Sequence, residues 1–171
     1  MLQKILFPLV LTFVLCACQP APRPGDGFAI YLLVEDVPTL GLAQADLDQL
    51  VLAPEPLISS ADIVSYDKDS HVIELTETAY KRVRAIFPMP VKVDGIPFVV
   101  TVGDERIYAG AFWTPLSSLS YDGIVIGQPL DPEGTLVQIV LGYPAPEAFI
   151  GTDPRSDARI LEALEKDGKL K

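Results

Sequence analysis

Of 171 residues only two are cysteine, and they stand together near the start as Cys16 and Cys18. The body that follows holds no disulfide and no thiolate metal site, so its stability rests on a packed core. Histidine occurs once, at His71, which excludes any centre that needs two imidazoles. Basic residues are few: 13 Lys and Arg against 23 Asp and Glu leave a net charge of −10. With no basic stripe to offset it, such acidity argues against nucleic acid and against docking of the protein surface on anionic lipid. It is also an ordinary route to solubility. No Gly-rich phosphate loop, paired-cysteine motif or Gly-x-Ser-x-Gly turn is present, and nothing in the chain calls for a cofactor.

What the chain does have is a leader. One positive charge at Lys4 precedes an apolar run from Ile5 to Val14, too short at about 10 residues against the roughly 20 that a membrane span requires, and broken by Pro8. Leu15-Cys16-Ala17-Cys18 then resembles the lipobox of bacterial lipoproteins. A plain secretory cut after Ala17 would put Leu15 where a small residue is preferred, and leucine suits the lipobox better. The resemblance implies cleavage before Cys18 and a diacylglycerol joined to its sulfur, usually with acylation of the new amino group. Each buried methylene contributes about 0.8 kcal/mol, so two or more chains anchor firmly. The expected divisions are a signal peptide over 1–17, a tether over 18–27 and a globular domain over 28–171. The predicted location is the cell membrane or outer membrane, facing the periplasm or exterior, with contact to the bilayer through the lipid on Cys18. Cys16 leaves with the leader and Cys18 is modified, so no cysteine pair remains.

From Gln19 to Gly27 three prolines favour an extended spacer, rising about 3.1 Å per residue and reaching on the order of 25–30 Å. About 154 residues follow the cut, enough for one domain with a sizeable core. Phe28 to Val34 is apolar on both alternating faces and predicts a strand near the middle of a sheet. Leu50-Val51-Leu52 reads as a short strand, Ser60 to Val64 as one helical turn, and Tyr66 to Asp69 as a turn. His71 to Leu75 alternates as a strand, with Thr76 as the N-cap of a helix that buries Ala79, Val83, Ile86 and Phe87 and stops at Pro88. Pro97–Val102 and Arg106–Trp113 around Gly103-Asp104 predict a hairpin. The small Ala109-Gly110-Ala111 predicts a close neighbour. Thr114-Pro115 suggests a short helix, Gly123–Ile126 and Leu136–Leu141 two more strands, and Asp153-Pro154 the start of a terminal helix that Gly168 closes. The sum is a single α+β domain, a mixed and mostly antiparallel sheet of about five to six strands with two main helices packed on it.

His71 to Tyr80, Pro97 to Ile107 and Gly123 to Gly127 together resemble the periplasmic head domain of the SecD translocon subunit, which also runs strand, Leu-Thr cap, helix, hairpin, strand. That resemblance covers about a third of the chain. It implies a fold and a chaperone-like module, not translocation, because the membrane helices of that family are missing.

Catalytic candidates are thin. His71 shares a face with Ile73 and Leu75 and reads as a hydrogen-bonded structural histidine. Ser117, Ser118 and Ser120 read as caps or loop residues. Glu35 and Asp36, the best-placed acid pair for an envelope hydrolase, point to opposite faces as neighbours on a strand. Asp67-Lys68-Asp69 has only the start of a calcium loop. Trp113, beside Phe112, is the candidate partner contact, set against the more ordinary role of core. The expectation is a non-enzymatic, lipid-anchored extracytoplasmic domain that binds a protein or envelope component.

Overall fold

The computed structural model describes residues 27–171. The leader, the lipobox, Cys18 and nearly all of the tether lie outside the described residues. Eight strands form one sheet curled into a half-barrel, in the order β2-β1-β5-β6-β7-β8-β4-β3. They are β1 (Phe28–Leu32), β2 (Ile58–Ser59), β3 (Ile63–Asp67), β4 (Val72–Leu75), β5 (Ile96–Val102), β6 (Glu105–Trp113), β7 (Tyr121–Gly127) and β8 (Leu136–Tyr143). Two helices, α1 (Glu77–Ala85) and α2 (Ala158–Lys166), complete the α+β domain. The sheet exceeds the five to six strands that the sequence predicts because β2 has only two residues and the residues of β3 carry the pattern of a helical turn followed by a loop. A 3-10 turn does occupy Ser60–Asp62, but the strand begins directly after it at Ile63.

The hairpin of β5 and β6 forms as its alternation predicts, with Gly103 at φ 58° supplying the turn. β1 lies between β2 and β5, one place from the sheet edge rather than at its middle. Leu52 extends that edge through a bridge to Leu33. At the other edge the chain's end covers β3: Tyr66 N–H donates to the Lys169 carbonyl at 2.7 Å and Lys171 N–H to the Tyr66 carbonyl at 2.8 Å. Among the described residues neither edge offers a long unpaired ladder, the feature that invites edge-to-edge association.

α1 is capped by Thr76, whose hydroxyl accepts from Ala79 N–H, and it buries Ala79, Tyr80 and Val83. α2 is capped by Asp157, not by Asp153. Asp153 is instead held by Arg155, whose guanidinium reaches both of its carboxylate oxygens. Pro115 and Leu116 form a turn rather than a helix, with Ser117 N–H donating to the Thr114 carbonyl.

Both faces of the sheet are covered, by different material. Phe98, Val100, Phe112, Ile124 and Ile126 point toward the helices and join Val83, Ile160 and Leu164 in the main core. On the opposite face Val99 and Ala109 pack with Leu42 and Leu50, and Ala111, Trp113, Tyr121 and Val125 form a further cluster. That second face is roofed by irregular chain, which Arg106 fastens by donating to the carbonyls of Leu47 and Leu50. β6 and β7 run parallel, with Gly110 opposite Ile124, and residues 114–120 make the return between them. No helix among the described residues is long and apolar enough to cross a membrane.

Candidate functional site

Adjacent residues on a strand face opposite ways, so Phe112 and Trp113 part company. Phe112 is fully buried in the main core, its ring 5.0 Å from Phe98 and 6.4 Å from Phe87. It offers no surface to a partner, which corrects its pairing with Trp113 as a contact. Trp113 is only 2 % exposed, yet it lines a cleft of about 630 Å³. That volume lies in the range of small-molecule sites, about 300–1,000 Å³.

Four separate stretches build the cleft. Pro38, Thr39 and Leu40 come from the segment after β1, and Asp94 from the approach to β5. Trp113, Leu119, Ser120, Tyr121 and Asp122 come from the end of β6 and the start of β7, and Ala148 and Ile150 from the chain after β8. Thr39 ties two of these together by donating its hydroxyl to the Asp94 carbonyl at 2.7 Å. Ile150 N–H donates to the Asp122 carbonyl at 3.0 Å and joins the other two. The lips are apolar and exposed: Leu40 at 90 %, Ile150 at 66 % and Leu119 at 49 %.

Small residues let the aromatic wall form. Trp113 and Tyr121 stack with centroids 5.1 Å apart and planes 9° from parallel, and Tyr143 leans on Trp113 at 5.7 Å. A Cβ at Gly123 would stand 2.4 Å from the Tyr121 hydroxyl, and one at Gly95 2.5 Å from the Trp113 ring. Glycine at both places is what gives the rings room. Tyr143 in turn donates its hydroxyl to the Ser117 carbonyl at 3.3 Å, joining the wall to the return between β6 and β7.

Two polar atoms of this wall, Trp113 Nε1 and the Tyr121 hydroxyl, are buried without a hydrogen-bond partner among the described residues. An unpaired buried donor costs about 1–3 kcal/mol. Burial, reinforced by the Asp122 charge, pushes the Tyr121 phenol well up, so it stays protonated and can donate at neutral pH. The carboxylates of Asp94 and Asp122 have no ion pair among the described residues, unlike Asp36, which pairs with Lys92.

The other candidates fall elsewhere. His71 sits at φ 54° on the turn before β4, and its Nδ1 shares a 3.0 Å hydrogen bond with the buried Tyr66 hydroxyl. Burial pushes that Tyr66 phenol up to about 12. Burial, then the nearby Arg155 charge, hold the imidazole of His71 below its ordinary value. Asp67 closes a turn by accepting from Ser70 and Asp69, and those bonds hold its carboxyl low. Ser117 accepts from Leu119 N–H, a local loop contact. Among the described residues no three of His, Cys, Asp or Glu stand together as a metal site.

A smaller cavity of about 310 Å³ opens where β6 and β7 part, lined by Ala109, Gly123, Ile124 and Phe149. It shares Ile150 with the larger cleft. Sequence reading named Trp113 but missed Tyr121, Leu40, Leu119 and Ile150. No known protein family, curated protein or solved structure matches this chain.

Proposed function

We propose that this chain is a non-enzymatic extracytoplasmic domain, held at the cell membrane or outer membrane by lipid on Cys18, that binds an envelope component through the cleft beside Trp113 and Tyr121. The observation that carries the reading is a cleft of about 630 Å³ whose lips, Leu40, Leu119 and Ile150, are apolar and exposed. Apolar walls supply binding energy and a few polar groups fix orientation, the usual division of labour in a ligand site. A ligand with an apolar body matches the lips.

The rival reading, an envelope hydrolase built on carboxylates, asks for an acid whose pKa is raised so that it can donate a proton. The carboxyls that depart from their ordinary values all go down. In Asp62 burial works upward, but hydrogen bonds from Arg82 and Ser59 outweigh it. In Asp153 and Asp157 the bonds from Arg155 and Arg159 lead. These acids do structural work, and this favours the binding role.

The test is crosslinking of the membrane-anchored protein in cells followed by isolation. A reproducible envelope component that is lost in an Ile150→Asp, Leu119→Asp variant supports the reading. Equal capture by that variant refutes the cleft as the contact. A Cys18→Ala variant should leave the membrane fraction, and its retention after salt washing would refute the lipid anchor.

A further inference from the structure

We draw no further inference here: the strongest candidate, the smaller cavity where β6 and β7 part together with the apolar lips Leu40, Leu119 and Ile150 that it adjoins, belongs to the site already described, and nothing in the structure shows what covers those lips.

Discussion

Replacing Gly110 with alanine tests whether β6 and β7 are packed as tightly as the geometry demands. A Cβ there would lie 2.5 Å from the end of the Phe98 ring and 2.7 Å from the Ile124 carbonyl oxygen. Phe98 is fully buried against Phe112 and has nowhere to swing. The carbonyl belongs to the parallel ladder in which Gly110 stands opposite Ile124, so relieving that contact means shifting a strand. In an open strand the same change would stabilise by about 0.4–1 kcal/mol, through lost freedom of the unfolded chain. Overpacking of a filled core costs about 1–3 kcal/mol. With one of the two clashes against backbone, the upper part of that range applies, and the net expected loss is about 2 kcal/mol. For a chain of this length it corresponds to a fall in Tm of about 4–8 °C. In urea, at a slope of about 2 kcal/mol/M, it is about 1 M off the midpoint. Paired urea titrations followed by circular dichroism would measure it. A Gly110→Ala protein as stable as the parent, or more so, would refute the packing of β7 against β6.

Three further outcomes follow from the same structure. Gly123→Ala should displace the Tyr121 ring, because the new methyl would meet its hydroxyl at 2.4 Å; near-ultraviolet circular dichroism and the emission of Trp113 should change while far-ultraviolet circular dichroism does not. Tyr66→Phe should cost about 1–3 kcal/mol in urea titrations by leaving His71 Nδ1 buried without its partner. The imidazole of His71 is held below its ordinary value of about 6.5, so the unfolded chain takes up a proton that the folded one resists. Stability should therefore be unaffected above about pH 6.5 and decline as pH falls from there to the folded-state value. His71→Asn, chosen because asparagine tolerates the left-handed φ of 54°, should flatten that decline.

Local chemistry decided a good deal of this protein in advance. The cap at Thr76, the stop at Pro88 and the tight turn at Gly103 depend on neighbours within a few residues, and they are legible in the chain. So is the α+β class, since strand and helix periodicities alternate plainly from His71 onward. What sequence could not decide is which residues meet. β2 and β3 exist because β1 and β4 offer them ladders, and two-residue or polar-flanked strands carry no period of their own. Asp157 rather than Asp153 caps α2 because the helix begins at Ala158, four residues beyond Pro154, while Asp153 holds Arg155, which reaches the Ile139 carbonyl at 2.9 Å. The cleft is the plainest case. Leu40, Asp94, Trp113, Leu119, Tyr121 and Ile150 span more than a hundred positions, and only the half-barrel sheet, with its roof of irregular chain, brings them together. Hydrophobic pattern tells a residue to leave water, whereas the partner it finds there is set by long-range closure of the sheet.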